Sequence, residues 1–66
     1  MRISRKKLAT AMIDRDVNVL QLSERSGVSR ATLAAIRSGK SCAECTAQKI
    51  AEALGVELES LLERNL

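Results

Sequence analysis

Apolar residues recur along this chain at three- and four-residue intervals, interrupted at short polar or glycine-containing points. Leu8 and Met12, with Ala9 and Ile13 beside them, fall at i, i+4 spacing and predict the apolar face of a first helix over about residues 4 to 15. Asp16 then occupies a left-handed stop, which Asp tolerates although glycine adopts it more easily. Asn18 is a good N-cap for a second helix ending near Ser26. In Gly27-Val28-Ser29 the glycine takes the positive φ of a sharp turn, Val28 plugs into the core, and Ser29 caps the next helix. That third helix runs from Arg30 to Ser38 and stops at Gly39. A fourth runs from Cys42 to Leu54, stops at Gly55, and centres its apolar face on Ala43, Ala47, Ile50 and Leu54. Ser41 and Glu44 read as its S-x-x-E capping box. A short fifth, about Leu58 to Arg64, carries Leu58, Leu61 and Leu62 at helical spacing. Each glycine thus lies between two helices, where a left-handed residue is wanted. The pattern predicts an all-α fold: one compact five-helix domain spanning residues 1–66.

Composition sharpens this picture. At 66 residues the chain is near the lower limit for folding on its own core. Below about 70–80 residues such a core rarely supplies more than ~3–5 kcal/mol. Phe, Tyr and Trp are all absent, so the core is aliphatic. The same absence excludes the stacking platforms on which single-strand and RNA-binding folds place their bases. Arg2, Arg5, Lys6 and Lys7 precede the apolar stretch LATAMI, but that stretch is too short for a signal peptide and is cut by Asp14-Arg15-Asp16. Nothing approaches a membrane span. The expectation is a soluble, cytoplasmic protein whose two cysteines are reduced thiols.

The net charge of +3 hides an asymmetry. Residues 1–40 carry nine basic side chains against three acidic ones, a net of +6. Residues 41–66 carry two against five, a net of −3. A polyanion facing the first two-thirds of the molecule accounts for this, as does ordinary solvated surface.

The third helix makes the distinction sharper. Leu33 and Ile36 share one face and must be buried, whereas Ala31, Ala34 and Ala35 lie opposite, flanked by Arg30 and Arg37. Arg25 precedes this helix and Lys40 follows it. A slim face rimmed by cations fits the DNA major groove, with the cations reaching phosphates. The same pattern also suits a small bundle whose short side chains pack on another helix.

The stretch LSERSGVSRATLAAIRSGK, followed by TAQKIAEALGV, closely resembles the lambda-repressor-like (Xre/Cro-type) helix-turn-helix family. Members typically show a Leu-Ala pair, then Gly-Val-Ser, Thr-Ile/Leu, an Ile and Gly-Lys, with a later Ile-Ala-x-Ala-Leu-Gly-Val. The resemblance covers essentially the whole chain and implies a five-helix domain whose second and third helices form the DNA-binding motif. Carried over position by position, it places base-edge contacts on Ser29, Arg30, Ala31 and Ala35, with Ala34 adjacent. It places phosphate contacts near Asn18, Thr32, Arg37 and Lys40. Arg30 would pair with guanine O6/N7 and Ala31 would touch a thymine methyl. Two departures matter: Val19 stands where the family often has a phosphate-binding Gln, and the groove-facing side chains are mostly alanine. Specificity then rests on Arg30, Ser29 and DNA shape.

The expected function is a sequence-specific transcriptional regulator, a repressor, holding a double-stranded operator as a homodimer with half-sites about 34 Å apart. Dimer contacts are expected from the fifth helix through Leu61, Leu62 and Leu66, whose alternative role is core packing and a frayed end. A second reading is a protein-interaction module or antitoxin-like regulator, offering exposed Val19 and Leu20 beside the alanine face. An enzyme is the weakest reading, because the chain has no histidine, no recognisable nucleophile pairing and no phosphate loop. Neither a cofactor nor a small-molecule substrate is implied. Cys42 and Cys45 form a C-x-x-C pair, but two thiols without histidine cannot close a four-ligand zinc site in one chain. Cys45 falls on the solvent side of the fourth helix and Cys42 at the edge of its apolar face.

Overall fold

The structure, a computed structural model, describes residues 2–62. Four α-helices follow in order: α1 (Arg5–Asp14), α2 (Val19–Ser26), α3 (Arg30–Arg37) and α4 (Glu44–Leu54), then a one-turn 3₁₀ segment over Leu58–Ser60. Helix α2 packs against α3 and α4, α3 also meets α1, and the 3₁₀ turn closes against α4. Among the described residues thirteen side chains are buried, all of them aliphatic, methionine or alanine, and none polar. Every α-helix contributes, and so do Ile3, Val17, Val28 and Leu61 from between or beyond the helices.

The helix ends explain how so short a chain turns so often. Asp16 sits at φ 54 after α1; Asp16 N–H reaches the Ile13 carbonyl and Val17 N–H that of Met12. This paired bonding is the Schellman stop, and it delivers Val17 into the core. Gly39 and Gly55 do the same after α3 and α4, with Lys40 N–H on the Ala35 carbonyl and Val56 N–H on that of Ala51. Arg15 adds its guanidinium to the Gly55 carbonyl at 3.3 Å, a cation placed at the negative end of α4.

Three sequence expectations are corrected. The fifth α-helix is replaced by the 3₁₀ turn, after which Leu62 forms an antiparallel bridge with Ile3 and Ser4 N–H donates to the Leu61 carbonyl at 2.7 Å. In a 3₁₀ turn residues i and i+3 eclipse, so Leu58 and Leu61 satisfy either helix type. Arg64 and Leu66, invoked for that helix and its dimer contacts, lie outside the described residues. Leu61 is 1% exposed and belongs to the monomer core rather than to a dimer surface.

Second, α4 starts at Glu44, not Cys42, and its N-cap is Ala43 with no side-chain cap bond. Ser41 is exposed and makes no capping box. Cys42 packs against the core from the extended segment before the helix, which postpones the first turn. Ala43 is accordingly exposed, and the buried face of α4 is Ala47, Ile50, Ala51 and Leu54.

Third, Ile13 is 78% exposed although it was expected on the apolar face of α1. It borders an open groove lined also by Met12, Asp16, Asn18, Val19 and Arg37, so no element among the described residues covers it.

Leu61→Ala should therefore destabilise the monomer by about 2–5 kcal/mol through lost burial and a residual cavity. Urea unfolding at two protein concentrations checks this. The loss should be the same at both, whereas a dimer-interface role would make it depend on concentration.

Candidate nucleic-acid interface

Everything that positions α3 relative to α2 passes through three residues, Gly27, Val28 and Ser29. Gly27 takes φ 75 and its N–H returns to the Ser23 carbonyl at 2.9 Å. Val28 is buried, so its backbone groups need partners from the protein. Two serines of α2 supply them. Ser23 Oγ donates to the Val28 carbonyl at 2.7 Å, and Ser26 Oγ accepts the Val28 N–H at 3.2 Å while donating to the Leu22 carbonyl at 2.6 Å. The turn is thus held by a buried side chain below and by two hydroxyls around its peptide groups. Neither serine was singled out in the sequence. The signal was available as serines four residues and one residue before Gly27, within bonding reach of the turn that follows.

Ser29 then caps α3. Its Oγ accepts the Thr32 N–H at 3.2 Å and lies 2.9 Å from Thr32 Oγ1, where either hydroxyl can donate. Whichever donates, the other keeps its proton for an outside acceptor. The pair therefore presents one hydroxyl donor at the start of the helix, rather than two independent ones.

Leu33 and Ile36 are 0% and 1% exposed, and they turn the rest of α3 outward. Arg30, Ala31, Thr32, Ala34 and Arg37 are exposed, with Ala35 half-buried at the edge. Arg30 and Arg37 stand seven residues apart, close to two full turns, so they share one rim of the alanine face instead of bracketing it. Lys40 is exposed immediately after Gly39, and its backbone is fixed by the bond to the Ala35 carbonyl. Among the described residues no acidic side chain pairs with Arg30, Arg37 or Lys40.

Asn18 lies at the N-terminus of α2, in a reciprocal capping box. Its Oδ1 accepts the Gln21 N–H at 2.8 Å, and Gln21 Oε1 accepts the Asn18 N–H at 3.1 Å. The carboxamide oxygen is engaged, which leaves the Asn18 NH₂ as the donor facing solvent. Gln21 was not among the expected site residues, although N-x-x-Q is a capping-box spacing. Val19 is half-buried against the core and Leu20 is half exposed. The structure therefore brings Ser29, Arg30, Ala31, Thr32, Ala34, Ala35, Arg37 and Lys40 onto one helix and its C-terminal turn, with Asn18 heading the helix before it.

Two short helices locked by a glycine turn, the second with an exposed cationic and alanine face, define a helix-turn-helix DNA-binding domain. Residues 7–66 match the Cro/C1-type HTH DNA-binding domain, and the chain belongs to that family. One solved structure, Phpd with cadmium complexed with hydroethylphosphonate (HEP), aligns with the whole of this chain at TM-score 0.81 and 32% sequence identity. The chain spans 15% of that protein's length. No curated protein matches the chain. Among the described residues no helix is long and apolar enough to cross a membrane, and no group of three or more His, Cys, Asp or Glu side chains is placed to hold a metal ion.

The two cysteines differ in setting. Cys45 is exposed, whereas Cys42 is half-buried and its thiol is pushed above the ordinary value, first by burial and further by the neighbouring Cys45.

Two outcomes follow. Ser26→Ala removes the Oγ bonds to the Val28 N–H and the Leu22 carbonyl, leaves that of Ser23, and should cost about 1–2 kcal/mol in urea unfolding. Amide exchange at Val28 should quicken. Under iodoacetamide at mildly alkaline pH, Cys45 should be alkylated before Cys42, as read by peptide mass spectrometry.

Proposed function

We propose that this domain is a sequence-specific double-stranded-DNA-binding transcriptional regulator, a cytoplasmic repressor without catalytic activity, which lays α3 in the major groove. The observation that carries the reading is the outward face of α3: three alanines beside Arg30 and Arg37, rotated to the surface by buried Leu33 and Ile36. A face that slim lets the helix axis approach base edges closely. Arg30, the guanidinium at the start of the helix, reads guanine O6/N7, while Ala31, Ala34 and Ala35 contact thymine methyls or the groove floor. The Ser29–Thr32 hydroxyl pair supplies one further donor, to a base edge from Ser29 or a phosphate from Thr32. Asn18 through its NH₂, Arg37 and Lys40 hold phosphates and set register without reading sequence. With so few hydrogen-bonding side chains at the bases, DNA shape carries much of the discrimination. A homodimer on half-sites about 34 Å apart suits this geometry, but without Leu61 in its contact surface.

A second reading is a protein-interaction role. Ile13 and Leu20 are 78% and 50% exposed, and the groove beside Ile13 has a volume of about 690 Å³. The similar segment of Phpd, complexed with hydroethylphosphonate, belongs to a chain more than six times as long. A domain of this kind therefore also occurs joined to a much larger body.

Gel-shift titration at several salt concentrations tests the primary reading. Arg30→Ala should lower specific affinity by about 1–3 kcal/mol, while Lys40→Ala should weaken all duplexes alike and flatten the log–log salt slope by about one. Absence of salt-dependent binding to any duplex overturns it. Partner binding that survives charge reversal at Arg30 and Arg37 supports the second reading.

A further inference from the structure

Arg2, Arg5 and Lys6 are exposed, and no acidic side chain among the described residues pairs with them. They do not hang on a loose arm. Ile3 between them is 2% exposed and bridges to Leu62, and the Ser4 N–H donates to the Leu61 carbonyl at 2.7 Å. This anchoring sets the three cations along one wall of a cleft of about 440 Å³, whose opposite wall is Ser38 and Gly39. Those two residues form the C-terminal turn of α3, and the next residue is Lys40. Among the described residues no carboxylate lines the cleft. The groove on the other flank of α1 differs, because there Lys6, Lys7 and Arg15 share the lining with Asp14. Lys7 is also distinct in having its ammonium bound to the Leu62 carbonyl at 3.1 Å.

Like charges held together without a counter-charge repel, so the cluster costs stability unless an anion joins it. Its position beside the Gly39–Lys40 turn says which anion. We infer that Arg2, Arg5 and Lys6 form a second phosphate-backbone contact, continuous with Lys40, that extends the DNA footprint past the recognition helix. The inference rests on the DNA-binding reading above. Three guanidinium and ammonium groups on a pre-ordered wall meet successive phosphates without first ordering a flexible segment. The contact carries no sequence information and adds equally to every duplex.

The test compares the full chain with R2Q/R5Q/K6Q by fluorescence anisotropy, on a selected duplex and a scrambled one, across a salt series. Each lost phosphate contact should flatten the slope by about 0.9, so the triple variant should lose about two to three units and bind both duplexes at least about tenfold more weakly. Lys7→Gln is the control and should leave the slope unchanged. Circular dichroism confirms folding; if the triple variant is unfolded, Arg2→Gln and Lys6→Gln singly should each flatten the slope by about one. An unchanged slope in variants of a chain that binds DNA overturns this inference alone. An equal effect per charge from Lys7→Gln also overturns it, because only net charge would then matter. Amide NMR shifts at Arg2–Lys6 on adding inorganic phosphate, with an unchanged DNA slope, would make the cleft a small-anion site and overturn the backbone contact. A chain that binds no duplex overturns both this inference and the reading beneath it.

Discussion

Burial of Leu33 and Ile36 fixes the rotation of α3 about its own axis, and the interface depends on that rotation. A helix advances about 100° per residue, so slipping these anchors by one position would turn Ala34 and Arg37, or Thr32 and Ala35, toward the core. The two anchors stand three residues apart and both are essentially inaccessible, which leaves a single angular setting. The Ser23 and Ser26 hydroxyls then fix where that helix begins, and the Ala35 carbonyl, accepting the Lys40 N–H, fixes where it ends. Position, rotation and length of an eight-residue helix are thus set by separate contacts, and of the groove-facing side chains only Ser29 joins in, through its cap on the Thr32 N–H. Outward residues beyond that cap can change with little effect on the scaffold.

The distribution of charge follows the helix ends. Arg25 and Arg37 stand in the last turns of α2 and α3, where the negative end of each helix favours a cation. Arg15 caps α4 in the same sense. These placements offset part of the repulsion that a +6 segment would otherwise bring to the fold. Of these cations, Arg37 serves twice: once at the end of α3, and once for a phosphate in the proposed interface. Cations outside that arrangement, at Arg2, Arg5 and Lys6, have no such internal use.

Much of this was legible in the sequence because the deciding signals are local. Asn18 and Ser29 cap helices, Asp16, Gly27, Gly39 and Gly55 take positive φ, and Val28 is buried, all readable from a few neighbouring residues. Signals set by distant contacts were not legible. Ser41 and Glu44 have capping-box spacing, yet the chain stays extended through Ala43 because Cys42 packs against the core. Leu58 and Leu61 have helical spacing, yet pairing of Leu62 with Ile3 ends the turn at once. Ile13 has core spacing on α1, yet none of the described residues covers it. For the interface, helical period predicted which side chains of α3 point outward. The partner of each was not readable that way, because spacing sets a side chain's direction and not the atom it meets.

The bridge between Ile3 and Leu62 has a consequence beyond stability. It brings the two ends of the described chain side by side, one residue pair from the core. A unit with adjoining ends can be spliced into a loop of a larger protein without stretching either body. The host needs only two neighbouring exit points, and the guest folds as before. Topology of this sort makes the domain portable: the same small bundle can stand alone over a nucleic acid or travel as a cassette inside a much longer chain.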